Sequence, residues 1–254
     1  MARSFALFLS CLCLLLPACS KASKDAGTAR IAVATNFKPA MTALKARFKT
    51  QTGFEIDVVT GSTGALYTQI LHGAPFDVFL SADEARPEKL ESNGQGVAGT
   101  RFTYAIGQLV FWHPDAEIAS LEVLQRSESS KVAIANPELA PYGRAAKELL
   151  WNFMGGHTRL DDRLVLGENI GQAFAFIKTG NAEFGFVALS QILSLTEDEQ
   201  GAYWVPPENM YVPIRQDVIL LGRGADNKAA AAFLGFLASE EARDIIAAAG
   251  YSVP

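Results

Sequence analysis

Two short polar turns carry the groups in this 254-residue chain best suited to chemistry. The first, Ala34-Thr35-Asn36, lies between an apolar strand over 29–33 and a helix over 39–50. The second, Thr60-Gly61-Ser62-Thr63-Gly64, lies between a strand over 56–59 and a helix over 65–71. A tight Gly73-Ala74-Pro75 connection and a strand over 77–80 follow. Each turn offers hydroxyl or amide groups and backbone N–H groups at a helix start, where the positive end of the helix dipole sits. Neither turn holds Lys or Arg. The chemistry such turns support is capture of an oxyanion by neutral donors. Taken alone, each turn is a plain N-cap. At equivalent places in consecutive strand–helix units they face one ligand from one side of a cleft, at the ends of neighbouring parallel strands.

Other chemistries find less support. His72, His113 and His157 sit at loop or element ends, outside any nucleophile or metal motif. Asp77, Asp83 and Glu84 gather after a strand, and Ser81-Ala82-Asp83-Glu84 reads as a helix start capped by Asp. There is no phosphate-cradling Walker sequence and no dinucleotide fingerprint. Trp112, Trp151 and Trp204 carry no motif and read as packing residues.

The elements that position the turns belong to an exported chain. Arg3 followed by an apolar run over 5–16 reads as a targeting signal, too short for a comfortable membrane span. The signal spans 1–19 and ends Leu16-Pro17-Ala18-Cys19, which resembles a bacterial lipobox with Cys19 as the lipidated residue. A flexible tether follows over 20–28. All three Cys, at 11, 13 and 19, fall in the signal, so the body has no disulfide, no thiol nucleophile and no Cys metal site. The 49% hydrophobic content permits a large core instead. Net charge is −5, and loss of residues 1–19 removes Arg3 and no acid, leaving −6. That balance does not suggest nucleic acid, and it makes any attraction for an anion local.

From Arg30 onward, apolar strands alternate with amphipathic helices, which argues α/β. A long strand is expected over 104–112. A second α/β unit follows, with strands over 131–135, 163–166 and 184–187 and helices over 143–154 and 171–179. Residues 196–201 read as an acidic surface loop. A strand over 218–221 and two helices over 228–237 and 240–249 end the chain. Two such units imply two lobes, 29–106 with 217–254 and 107–216, and a ligand cleft between them that closes by hinge motion.

Several stretches together resemble the molybdate-binding proteins of bacterial molybdate ABC transporters. They are Ala34-Thr35-Asn36-Phe37, Gly61-Ser62-Thr63-Gly64-Ala65-Leu66-Tyr67, the run from Gly73 to Asp83, Asn136-Pro137 with Ala140-Pro141-Tyr142-Gly143, and Gly185-Phe186-Val187-Ala188. The similarity spans nearly everything from Ala29 to Pro254. The resemblance implies a two-lobed periplasmic binding protein fold of type II. It implies oxyanion contacts from Thr35, Asn36, Thr63 with Ser62 beside it, Tyr142, and the backbone N–H of Ile170. It further implies a non-enzymatic, monomeric receptor with no cofactor, which holds molybdenum as the oxyanion and touches no metal directly. That receptor would deliver molybdate or tungstate to a permease served by a separate ATPase subunit.

The chemistry agrees with that expectation. A tetrahedral dianion that is unprotonated at neutral pH offers only acceptors, and a donor-only pocket satisfies it. Hydrogen phosphate carries a proton and asks for a protein acceptor. Sulfate is excluded only by size and closure. A receptor for sulfate or another tetrahedral oxyanion is therefore the alternative within the binding class. An exported hydrolase using Asp77, Asp83 or a His is the alternative outside it.

Overall fold

The computed structural model describes residues 27–127, 129–156 and 160–254. The segment expected as an export signal, Cys19, His157 and most of the expected tether lie outside them. In chain order the elements are β1 (Thr28–Ala34), α1 (Lys38–Thr52), β2 (Glu55–Gly61), α2 (Thr63–Leu71), β3 (Val78–Leu80), α3 (Ala85–Ser92), β4 (Phe102–Gly107) and β5 (Leu109–His113). Then come α4 (Val123–Arg126), β6 (Val132–Ala135), α5 (Pro141–Phe153), β7 (Leu164–Gly167), α6 (Ile170–Lys178), β8 (Phe184–Ala188), α7 (Leu189–Ile192) and α8 (Glu197–Gln200). The chain ends with β9 (Ala202–Trp204), β10 (Ile214–Leu220), α9 (Lys228–Leu237) and α10 (Glu240–Ala248).

Two five-stranded sheets result, ordered β2-β1-β3-β10-β4 and β7-β6-β8-β5-β9. In each, three parallel strands are joined by one antiparallel strand that arrives from the other half of the chain. The chain leaves the first sheet after Gly107, enters the second at Leu109, and returns to the first at Ile214. The C-terminal tail also belongs to the first lobe, where Ile106 and Ser252 exchange backbone hydrogen bonds.

Central parallel strands read as unbroken apolar runs because helices cover both faces. All four residues of β6, Val132-Ala133-Ile134-Ala135, are buried. In the first lobe α1 turns Met41, Leu44 and Phe48 inward at helical spacing. Phe48 meets Phe233 of α9 edge-on, with ring centroids 5.4 Å apart. The other face of that sheet is covered by Leu66 and Ile70 of α2 and Leu90 of α3. In the second lobe Phe111, Phe184 and Phe186 pack ring against ring.

The structure corrects two readings of the sequence. The strand expected over 104–112 is two strands, β4 and β5, in different sheets. Continuous apolar runs flank Gly107-Gln108 on both sides, so the hydropathy reads as one strand. Residues 196–201, expected as a loop, contain the single turn α8, whose entry is a capping box: the Glu199 carboxylate accepts from the Thr196 N–H and hydroxyl, at 3.3 and 3.0 Å.

Candidate functional site

The carboxyl ends of β1 and β2 deliver the two polar turns to one wall of a cleft. After β1 the chain makes a short 3-10 turn, Thr35–Phe37, that runs into α1. After β2, Ser62 caps α2, its Oγ accepting from the Ala65 N–H at 3.3 Å. Thr63 Oγ1 accepts from the Ala82 N–H at 3.0 Å. A hydroxyl has one proton and two acceptor positions. With a backbone N–H on the oxygen, the Ser62 and Thr63 protons remain to be given to a ligand.

The facing wall comes from the second lobe. Proline opens α5 at Pro141, which places Tyr142 in its first turn. Asn169 caps α6, its Oδ1 accepting from Gly171 N at 2.9 Å and Gln172 N at 3.1 Å. The first helical N–H, that of Ile170, lies outside this cap. The Ile170 carbonyl is held in turn by Gln191 Nε2 at 3.2 Å.

Between the walls is a small cavity, lined by Ala34, Thr35, Asn36, Gly61, Ser62, Thr63, Ala82, Ala140, Pro141, Tyr142, Asn169 and Ile170. All six ligand residues expected from the sequence line it. None of the lining residues is charged. The first turns of α2, α5 and α6 and the 3-10 turn after β1 converge here, so several helix N-termini point their partial positive charge at one small volume. The arrangement holds an anion through dipoles and neutral donors alone. Among the described residues, no group of three or more His, Cys, Asp or Glu is placed to hold a metal ion.

The lobes touch around this cavity. Gly64 N donates to Leu139 O across the cleft at 2.8 Å. A Cβ on Gly64 would lie 3.0 Å from that same oxygen, and one on Gly171 would lie 2.6 Å from Thr35 Cγ2. Glycine at both positions lets the walls approach this closely.

Beneath the cavity lies a network that sequence reasoning missed. Asn36 Nδ2 donates to Gln216 Oε1 at 2.9 Å and to Tyr251 Oη at 3.1 Å. Tyr251 Oη donates to Asn36 O at 2.7 Å, and Ser190 Oγ donates to the same carbonyl at 2.9 Å. Tyr104 Oη is 3.1 Å from Gln216 Oε1. Tyr142 Oη accepts longer contacts from Gln216 Nε2 at 3.4 Å and Asn36 Nδ2 at 3.5 Å. The Asn36 amide nitrogen is therefore committed to the protein, and what this residue offers the cavity is chiefly backbone. Tyr142 has its acceptor side occupied, and its hydroxyl stands within hydrogen-bonding reach of Tyr251. Burial, followed by the neighbouring Tyr251, holds its ionisation well above the ordinary tyrosine range, so at neutral pH it is a donor. Gln216, Tyr251 and Ser190 come from distant parts of the chain, and no local pattern marks them.

The other candidates lie outside the cavity. His72 Nδ1 contacts Thr68 O within its own helix. The His113 ring packs edge-on against Phe184, 5.0 Å between centroids, and burial lowers its basicity. Asp77 accepts from Arg30 N at 2.7 Å. Asp83 Oδ1 accepts from Arg86 N at 3.1 Å, a capping contact at the start of α3. Glu84 pairs with Arg215 at 3.2 Å.

Comparison with known proteins agrees with this geometry. The family model for bacterial extracellular solute-binding proteins matches residues 29–252. The molybdate-binding protein ModA of Azotobacter vinelandii is 42% identical over 231 residues, 90% of this chain and 91% of that one. The ModA of Rhodobacter capsulatus is 44% identical over 227 residues, 89% of this chain and 88% of that one. Among solved structures, the periplasmic molybdate-binding protein of Azotobacter vinelandii superposes with a TM-score of 0.83 at 38% identity, covering 89% of this chain and 99% of that chain.

Proposed function

This chain belongs to the bacterial extracellular solute-binding protein family, and from that premise we propose that it is the molybdate-binding component of an ABC importer. The observation that carries the reading is the uncharged cavity at the meeting of helix N-termini from both lobes. Thr35, Asn36, Ser62, Thr63 and Tyr142 supply hydroxyl and N–H donors, and Ile170 supplies a backbone N–H. Molybdate and tungstate are tetrahedral dianions that offer acceptors only, so every polar contact in such a pocket is matched. Hydrogen phosphate would bring a proton to a site whose tyrosine oxygen is already an occupied acceptor. Sulfate has the same hydrogen-bonding character and is disfavoured by its smaller size.

Binding draws the lobes together over the anion and shifts the population toward the closed form. A membrane permease reads that closed form, and a separate subunit hydrolyses ATP. The export signal over 1–19 delivers the protein to the periplasm, with Cys19 available as a lipid attachment point. The relatives named above are binding proteins. The deciding experiment is calorimetric titration with molybdate, tungstate, sulfate and phosphate. One-to-one binding of the first two, with the others far weaker, is expected. A preference for sulfate or phosphate would overturn the ligand and keep the receptor.

A further inference from the structure

One charged cluster stands at the rim of the neutral cavity. Asp83 follows β3 on the first lobe, next to cavity-lining Ala82, whose N–H holds Thr63 Oγ1 at 3.0 Å. Arg144 lies on α5 of the second lobe, two residues beyond Tyr142. Arg144 Nη2 meets Asp83 Oδ2 at 2.9 Å across the cleft. Asp83 is also paired with Arg86 of its own lobe, and Arg86 Nη2 reaches Glu138 O on the opposite lobe at 3.4 Å. The Asp83 side chain is 11% exposed, against 46% for Arg144.

We infer that Asp83 and Arg144 form an ionic clasp that holds the lobes shut over the bound anion and slows its release. The inference rests on reading the cleft as the binding site. Its logic is differential. When the lobes part, Arg86 stays with Asp83, because both belong to one lobe and the pair sits at the entry of α3. The Asp83–Arg144 pair is lost, and a half-exposed guanidinium returns to water at little cost. The pair therefore stabilises the closed form relative to the open one, and only such a difference shifts a conformational equilibrium. Asp83 does a second thing. It holds two guanidiniums in balance at the rim, so the closed cleft carries no like-charge repulsion between Arg86 and Arg144.

Each variant has its own expected outcome. In Arg144→Gln, Asp83 keeps Arg86, the fold is preserved, and molybdate dissociates roughly two- to five-fold faster, the worth of one partly exposed ion pair. Raising ionic strength speeds release in the native protein and has less effect in this variant. Asp83→Asn retains an oxygen to cap α3 but leaves two guanidiniums facing each other across the cleft. Release is then faster than in Arg144→Gln, and adding Arg144→Gln to Asp83→Asn slows it again. A purely structural role for Asp83 does not yield that rescue. The measurement is stopped-flow release of molybdate from the native protein, both single variants and the double variant. It is paired with pulsed electron resonance distances between one spin label on each lobe in ligand-free protein, where Arg144→Gln is expected to widen the separation. Release from Arg144→Gln at the native rate, or no rescue in the double variant, overturns the clasp. If the native protein binds no molybdate, the ligand assignment fails by itself, and the ligand-free distances decide the clasp: an unchanged separation in Arg144→Gln sinks it.

Discussion

At the residue scale, the site is a set of hydroxyl and N–H donors whose acceptor sides are already used. Thr63 Oγ1 holds Ala82 N, Ser62 Oγ holds Ala65 N, and Tyr142 Oη receives Gln216 and Asn36. Tyr142→Phe removes one donated proton and, with it, the oxygen that receives Gln216 Nε2 and Asn36 Nδ2. Hydrogen bonds to charged partners are worth about 1.5–3 kcal/mol, so a loss of roughly ten- to hundred-fold in molybdate affinity is expected by calorimetry. An unchanged affinity would remove Tyr142 from the contact set. Asn36→Ala acts differently, because its amide ties Gln216 to Tyr251 beneath the cavity. It is expected to lower ligand-free thermal stability as well as affinity, and the former by more than Tyr142→Phe does, whose contacts to the network are the longer ones. The donor types at 35, 36, 62 and 63 were legible in the sequence, being short polar runs at helix starts, whereas Tyr142 was marked only by the resemblance. The direction of the Asn36 side chain was not, since its partners lie 180 and 215 residues away.

At the element scale, helix starts do the electrostatic work, and caps keep them aimed. Asn169 takes up the Gly171 and Gln172 N–H groups and leaves Ile170's at the cavity. Asn169→Ala should cost about 0.5–2 kcal/mol of stability in denaturant titration, the usual penalty for a lost N-cap, together with affinity. Gly171 tests the approach of the walls. A methyl there would press on Thr35 Cγ2 at 2.6 Å when the lobes are together, and would lie 3.0 Å from the capping Asn169 Oδ1 of its own lobe. Gly171→Ala is expected to weaken molybdate binding measured by calorimetry; a normal affinity would show that the walls need not come this close. Helix and strand periodicity placed most of these elements correctly. It failed at β4 and β5, where the apolar pattern runs on while the chain changes sheets, and at α8, where a capping box in an acidic run outweighs the loop-like composition.

At the scale of the whole molecule, two sheets of the same order meet at a cleft, with β5 and β10 as the exchanged strands. The buried polar network spans that junction and includes Tyr104, Tyr142 and Tyr251, each of which burial holds above its ordinary ionisation range. The consequence has a definite sign. A tyrosine raised in the folded state contributes fully below its unfolded value near 10, and that contribution is lost as pH climbs from there through the folded value. Stability is expected to be insensitive to these groups at neutral pH and to fall above about pH 10, by up to about 1.4 kcal/mol per pH unit for each of the three. Urea titrations from about pH 7 to about pH 11 measure it, and replacing Tyr251 by Phe should reduce the slope by one tyrosine's share.

The sequence by itself determined the α/β character, the two-unit organisation and the neutral, donor-rich chemistry of the two turns. These are local properties, written in hydropathy period, turn residues and the absence of Lys and Arg at the turns. The tertiary structure alone decided which groups meet: that turns from both lobes enclose one uncharged cavity, that Gln216, Tyr251 and Ser190 brace it from below, and that Asp83 and Arg144 face each other across its rim. Those contacts join residues tens to hundreds of positions apart. They depend on how two sheets pack and where the chain crosses between them, and no local pattern encodes that geometry.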